Sequence, residues 1–263
     1  MDKERDFNRE NPYDIESEIF DNLNSFRKFD EHYDFMVNEF IKKTGRSPYR
    51  ILDIGCGTGN NLMVFARKGC ECTGIDLSDG MLSIAKGKRD EEGLKIDFYN
   101  EDILTFNTDK KFDLIYSIYG VSNLFEKSKM KKLFEWIETH LIDDGVLIVD
   151  FYTTASLSST PSSWLGVKKE DNEIIRLQFN KNDTRNKIST TMRTYLEIRG
   201  DQIIRRVEQK VIFQLYTVNS FMRMIEKCGF KDVNMYDANI RSYTTKRPLK
   251  STYLAVAIAQ RGN

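Results

Sequence analysis

The sequence predicts an α/β fold: a mostly parallel sheet with helices on both faces, interrupted late in the chain by a small antiparallel sheet. Three observations carry that expectation. Short apolar runs alternate with amphipathic segments between residues 49 and 152. A glycine-rich turn marks the first strand-to-helix junction. Between residues 172 and 216 the period shortens to two, with Asn182-Asp183 and Gly200-Asp201 as turn signals.

Residues 15–41 carry apolar side chains three and four apart, which predicts one or two amphipathic helices, stopped by Gly45 and Pro48. Residues 49–54 read as a strand, 60–68 as a helix closed by Gly69, and 71–77 as a second strand. Ser78 is placed to cap the next helix. Residues 95–99 and 112–117 read as strands, and 129–141 as a helix with Met130, Leu133, Phe134, Ile137 and Leu141 on one face. Asp143-Asp144-Gly145 reads as a turn into a strand over 146–151. Strands separated by helices of this length imply right-handed crossovers and parallel pairing. The Ser/Thr/Pro-rich stretch 153–163 leads into the antiparallel segment. Thr217 caps a last helix, and 233–236 and 253–259 close the pattern as strands.

The composition excludes several classes. Lys+Arg and Asp+Glu both number 40 in 263 residues, so the long-range attraction that drives nucleic-acid binding has no obvious source. No apolar run approaches the roughly 18 residues of a membrane span. The polar N-terminus lacks the apolar segment of a secretory signal, so the expectation is a cytoplasmic protein without nucleic-acid or membrane partners. Cys56, Cys70, Cys72 and Cys228 match no zinc or redox spacing, and no metal site is expected.

The chemistry concentrates in Ile51-Leu52-Asp53-Ile54-Gly55-Cys56-Gly57-Thr58-Gly59. An apolar strand runs into three alternate glycines directly before a helix, where the backbone can approach a ligand and free N–H groups can receive an anion. Dinucleotide enzymes share such turns, but their fingerprint is G-x-G-x-x-G, whereas the spacing here is G-x-G-x-G. Asp53, just ahead of the first glycine, has two readings: a ligand group, or a buried carboxylate tying down the turn. Asp76, at the end of the second strand, can accept both hydroxyls of a ribose.

These residues resemble the first motif of the class I S-adenosylmethionine-dependent methyltransferases, closely over 49–152 and loosely over 213–260. The resemblance implies a seven-stranded Rossmann-like sheet of order 3-2-1-4-5-7-6 with an antiparallel last strand, and S-adenosylmethionine as cofactor. It implies cofactor contacts at Asp53, Gly55, Cys56, Gly57, Gly59, Asp76, Leu77, Asp102, Ile103 and Ser117. Asp53 would hold the methionine ammonium, Asp76 the ribose, Leu77 the adenine face and Asp102 the adenine amino group. A solvated turn is the other reading of Asp102. Residues 117–125 would line the reaction site, while Asp113 would be structural. The implied organisation is N-terminal helices and cofactor-binding core over 1–155, an antiparallel insertion over 156–216 and a return to the core over 217–263.

The insertion resembles, in architecture alone, that of aminosugar and glycine N-methyltransferases. Zero net charge and the aromatic residues expected around the cleft, Tyr119 and Tyr152 above all, make a small polar amine the expected acceptor, with oxygen or carbon acceptors as alternatives. Tyr13, His32, Tyr119 and Tyr152 are the candidate catalytic residues, with Asn123 as a further polar group. His32 has a structural reading too, and His140 is read as structural. Phe20, Phe26 and Phe29 are expected to pack in the core. The insertion would serve as an acceptor lid or as the surface of a homodimer. The rival classes are a nicotinamide-type oxidoreductase and a silent cofactor-binding scaffold.

Overall fold

The computed structural model describes residues 12–158, 163–169, 171–238 and 252–262. The central sheet is built from β1 (Arg50–Ile54), β2 (Glu71–Ile75), β3 (Ile96–Tyr99), β4 (Phe112–Ser117), β5 (Leu141–Tyr152), β10 (Phe230–Ala238) and β11 (Leu254–Arg261). Their order is β3-β2-β1-β4-β5-β11-β10, with β11 antiparallel to both neighbours. The seven-stranded order inferred from the family resemblance is thus the observed one.

Alternation along the strands feeds two apolar layers. Ile51, Leu114, Tyr116, Ile148 and Val256 point to one face, where they pack with Phe35, Met36 and Phe40 of α2 (Phe29–Thr44) and Leu62 and Phe65 of α3 (Asn60–Arg67). Leu52, Ile115, Leu147 and Ala257 point to the other. There they meet Leu133, Phe134 and Ile137 of α5 (Lys127–His140) and Phe221 and Ile225 of α6 (Val218–Lys227). Both expected caps form: Ser78 Oγ accepts from the Met81 amide at the start of α4 (Asp79–Glu91), and Thr217 Oγ1 accepts from Ser220. The N-terminal apolar stretch is two helices, α1 (Pro12–Leu23) and α2, and Gly45 closes α2 in the left-handed conformation. Among the described residues no helix is long and apolar enough to cross a membrane.

Three details differ from the sequence expectation. Asp143-Asp144-Gly145 is an irregular entry into β5, because Phe112 pairs with Leu141 while Leu114 pairs with Val146. Arg46 holds Asp144 and Arg261 holds Asp143, which fixes the extra residues in an extended path. A strand not expected from the sequence, β6 (Ser163–Lys169), adds an edge to the insertion. Gly166 interrupts its apolar pattern, and only pairing with β7 (Asn172–Asp183) makes it a strand. Phe26 is exposed, between the two helices and not in the core.

The insertion is a four-stranded antiparallel sheet, β6-β7-β8-β9, with β8 (Ile188–Arg199) and β9 (Gln202–Gln214). Asn123 ties both of its ends to the loop after β4. Its Nδ2 donates to the Tyr152 and Gln214 carbonyls at 3.0 and 2.6 Å, and its Oδ1 accepts from the Tyr152 amide at 2.7 Å. All amide atoms of Asn123 are therefore engaged in structure, a use its chain position did not reveal. Asn123→Ala strands these backbone groups in a buried place, a loss of roughly 2–4 kcal/mol. A fall in the urea midpoint at constant m-value is expected; an unchanged midpoint would remove Asn123 from the frame.

Candidate active site

The glycine turn between β1 and α3 gives its three glycines different duties. All three sit at positive φ: Gly55 at 77°, Gly57 at 55° and Gly59 at 76°. A Cβ on Gly55 would meet the Val121 side chain at 2.7 Å, so this glycine admits a neighbouring loop of the protein. A Cβ on Gly57 would meet only the edge of the Phe20 ring, at 3.8 Å, which leaves the backbone open to a ligand. A Cβ on Gly59 would meet Ala85 and Phe98 at 3.2 Å, so Gly57 has the most open surroundings of the three.

Asp76 orients this turn. Its Oδ2 accepts from the Gly57 amide at 2.8 Å and its Oδ1 from the Ser78 amide at 2.9 Å. Burial raises its carboxyl above the usual range, while the amides of Ser78, Gly57 and Leu77 pull in the opposite direction. Leu77 follows with its side chain 68% exposed, an apolar surface standing beside a carboxylate. Across the cleft, Asp102 Oδ1 accepts from the Leu104 amide at 2.9 Å in a local turn, while Ile103 is buried in the core.

Deeper in, Asp53 is buried and lies opposite Tyr116 in the β1–β4 register. Burial, the largest influence, pushes the Asp53 carboxyl well above the ordinary value, and the charge of Asp76 pushes the same way. The Tyr116 hydroxyl faces Asp53 but meets hydrogen-bond geometry with no partner. Cys56 is buried against Gly74, and burial pushes its thiol well above the ordinary value, the setting of an unreactive thiol. Ser117 Oγ donates to the Ile54 carbonyl at 3.0 Å and binds strand to strand.

The loop after β4 is held under constraint. Tyr119 adopts φ 68°, a conformation that a bulky residue keeps only when its surroundings impose it. Asp150 of β5 imposes it: its carboxylate accepts from the Tyr119 and Gly120 amides, each at 2.7 Å. Gly120 is required because Tyr152 lies where a Cβ would stand, 2.3 Å away. So held, the Tyr119 hydroxyl lies 2.7 Å from His32 Nδ1 and 3.2 Å from Asn61 Nδ2. Burial pushes the Tyr119 phenol up to about 12, against the nearby Arg27 cation. The Arg27 guanidinium stacks 3.4 Å from the Tyr119 ring centroid, and its Nε and Nη1 are buried without hydrogen-bond partners. Such stranded donors call for a water or a ligand.

Helix α1 closes the cleft from above. Asp21 accepts from Thr58 Oγ1 at 2.7 Å and Asn60 Nδ2 at 2.8 Å, and pairs with Lys88 of α4 at 2.5 Å. Burial raises its carboxyl, but Lys88, Thr58 and Asn60 outweigh that and leave it lowered. The opposite face of α1 packs Ile15, Ile19 and Leu23 on Ile174, Tyr195 and Val207 of the inserted sheet, with Arg193 on Glu16 at 2.9 Å. Between this sheet and Tyr152 lies a small cavity of about 100 Å³, lined by Phe213 and Tyr253 and by Asn180, Thr191 and Arg193. Asn180 Oδ1 is buried there without a hydrogen-bond partner.

The structure thus brings His32, Tyr119 and Tyr152 to one end of the sheet, the end that carries the glycine turn. Tyr13 lies in the first turn of α1, and its side chain falls outside the described residues. His140 stacks on Trp136 far from the turn. Asp113 accepts from Arg46 and from the Tyr49 and Arg50 amides at the opposite end of the strands. Among the described residues no group of three or more His, Cys, Asp or Glu is placed to hold a metal ion.

Residues 51–145 match the family model described as a methyltransferase domain. A protein of Geobacillus sp. (strain WCH70), itself assigned to the methyltransferases by inference alone, is 33% identical over 137 residues. That match covers 51% of this chain and 55% of the relative, so the chain spans about half the length of that relative. An S-adenosylmethionine-dependent methyltransferase from Clostridium acetobutylicum superposes at a TM-score of 0.79, with 21% identity over 96% of this chain and 100% of that one. The sugar N-methyltransferase of Streptoalloteichus sp. superposes at 0.77, with 16% identity over 94% and 92%. The two superpositions establish the fold. Residues 51–145 thus match a methyltransferase domain, and the chain as a whole shares the fold of S-adenosylmethionine-dependent methyltransferases.

Four polar residues of this cleft escaped sequence reasoning: Asp21, Arg27, Asn61 and Asp150. Asp21 and Arg27 lie outside every motif, on a helix and linker that read only as amphipathic. Asp150 ends the run Val146-Leu147-Ile148-Val149-Asp150, and a charge inside a fully buried strand was the one signal available. The raised Asp53 carboxyl carries a testable sign. A carboxyl held high in the fold stabilises it only while protonated, so its contribution is lost as pH rises through the raised value. Asp53→Asn is therefore expected to raise the melting temperature by a few degrees at pH 8 and to lose that gain towards pH 4. An equal shift at every pH would show that no buried charge is relieved.

Proposed function

We propose that this chain is a methyltransferase that moves a methyl group from S-adenosylmethionine to the nitrogen of a small polar amine. The observation that carries the reading is the meeting of two features at one end of the sheet. One is the open Gly57 turn with its Asp76 carboxylate; the other is the polar cavity against Tyr152. The likeness to a sugar N-methyltransferase supports nitrogen as the acceptor atom.

The residues present fit the cofactor. The open backbone at Gly57 would leave room for the cofactor's amino-acid portion, and Asp53 with the unsatisfied Tyr116 hydroxyl would serve to hold its ammonium. Asp76 stands ready for two ribose hydroxyls, and the exposed Leu77 for an adenine face. Asp102 keeps one carboxylate oxygen in its own turn and offers the other to the adenine amino group. The stranded Nε and Nη1 of Arg27 suit the methionine carboxylate, a charge-assisted pairing.

Bound S-adenosylmethionine supplies a methyl group already activated on a sulfonium sulfur. What the chain must do is align, exclude water and remove a proton. An amine reaches the site protonated and needs a free lone pair to attack. With its phenol at about 12, Tyr119 is neutral at physiological pH, so it hydrogen-bonds the nitrogen and hands the proton towards His32 Nδ1, 2.7 Å away. Tyr152, whose phenol burial also holds at about 12, closes the acceptor side together with Phe213 and Tyr253.

Two variants separate these roles. Arg27→Met is expected to weaken S-adenosylhomocysteine binding 10- to 100-fold in isothermal titration, the scale of a hydrogen bond between charged groups. Wild-type affinity would remove Arg27 from the cofactor site. Tyr119→Phe should keep that affinity and lower kcat roughly 100-fold, the lower range for a lost proton-transfer group. Acceptor class is read by tritiated-methyl transfer across pooled amines, aminosugars, alcohols, RNA and peptides. Labelling confined to RNA or peptide would defeat the small-amine reading.

A further inference from the structure

Asp53 and Tyr116 face each other across the β1–β4 register, Asp53 3% exposed and Tyr116 0%. Alternation puts both on the sheet face covered by α2 and α3, where Phe65 stacks on the Tyr116 ring at 5.7 Å. The Tyr116 hydroxyl finds no hydrogen-bond partner there, although it is fully buried. The titratable groups that act on this spot are all acids. Asp76 reaches it from the end of β2, Cys72 from within that strand and Cys56 from the glycine turn. The buried titratable residues of α2 are engaged elsewhere: Glu39 with Lys42 and Tyr236, His32 with Tyr119. The one charged residue of α3, Arg67, pairs with Glu92 at 2.5 Å, and Arg27 stacks on Tyr119. A buried carboxylate beside a second carboxylate, with no cation against it, holds its proton.

We infer that Asp53 is protonated in the free protein and gives that proton to solvent when the cofactor's ammonium enters, with Tyr116 as the positioning residue that holds the carboxylate so formed. This rests on the cofactor reading above. Two observations carry it: the pocket offers acids and no base, and one of those acids is a donor left without an acceptor. The raised carboxyl of Asp53 points the same way.

The proton count balances. At pH 6 the free cofactor brings one proton on its amino nitrogen and Asp53 holds another. The bound pair keeps one between nitrogen and carboxylate, as coupled groups do, and the other leaves for the buffer. Only O–H and N–H bonds change. The Tyr116 hydroxyl then donates to a charged oxygen, a stronger bond than one to a neutral acid. Because the free protein binds more protons than the complex, affinity falls as pH falls, by up to about tenfold per pH unit.

Titration calorimetry on the full chain at pH 6, in buffers of different ionisation enthalpy, counts the released protons. S-adenosylhomocysteine should release at least about half a proton more than 5′-methylthioadenosine, which keeps the adenine and ribose but lacks the amino-acid part. The subtraction removes any proton that Asp76 loses to the ribose. A carboxyl at the ordinary value of about 3.9 would release almost none at this pH. Asp53→Asn should abolish the difference. Tyr116→Phe should move the affinity profile to higher pH, because a donor that lowers the carboxyl is lost; Asp76→Asn should move it to lower pH, because a repelling charge is lost. A tyrosine that only packs would change affinity equally at every pH. Equal release by the two nucleosides, or an unmoved profile in Tyr116→Phe, overturns the inference while S-adenosylhomocysteine binding keeps the cofactor reading. A chain that binds neither nucleoside overturns both.

Discussion

The contact on which the site depends is the double docking of α1. Its apolar residues Ile15, Ile19 and Leu23 recur every four positions and bury against the inserted sheet, each such side chain worth about 1.5–3 kcal/mol. Its polar side presents Asp21 to Thr58, Asn60 and Lys88 around the glycine turn. One helix thus sets the distance between the cofactor cleft and the sheet that walls the acceptor cavity. The two docking surfaces differ in strength. The apolar side is permanent packing, whereas Asp21 is 39% exposed and its bonds exchange readily with water.

Three aspartates perform one structural act in different places. Asp113, Asp76 and Asp150 each take two backbone amides: Tyr49 and Arg50, Gly57 and Ser78, Tyr119 and Gly120. Asp113 does so where the strands begin, and the result is a braced edge. Asp76 and Asp150 do so where the parallel strands end, and the result is a shaped cleft. In open α/β sheets ligands bind outside the carboxyl ends of strands, at the point where strand order reverses. That point lies here between β1 and β4, so the same hydrogen bonds help shape a cleft at one end of the strands and not at the other.

This difference explains what was legible in the sequence. The glycine turn, Asp76 and the caps at Ser78 and Thr217 are local features, and their spacing alone predicts their geometry. Strand order followed from the resemblance that the turn carries. Long-range partnerships left little mark. Asn123 reads as a polar loop residue until Tyr152 and Gln214, 29 and 91 positions away, are seen to meet it. β6 becomes a strand only through β7. The three glycines look equivalent in sequence, yet Val121 fills the space beside Gly55 and nothing but the edge of Phe20 borders Gly57. A motif states that a Cβ is forbidden; only the neighbours reveal whether protein or ligand forbids it.

Tyr119 unites these strands of reasoning. Its left-handed backbone costs on the order of 1–3 kcal/mol, which folding alone has no reason to bear at a tyrosine. Asp150 holds the two amides, Gly120 yields to Tyr152, and Arg27 covers the ring. Four residues from three parts of the chain fix one hydroxyl beside His32 and Asn61. Methyl transfer from an activated sulfonium asks for alignment more than for a strong base. A phenol immobilised at the strand end that faces the cleft is suited to that demand, because its direction is set before any ligand arrives. The strain at Tyr119 is best understood as the cost of that pre-set direction.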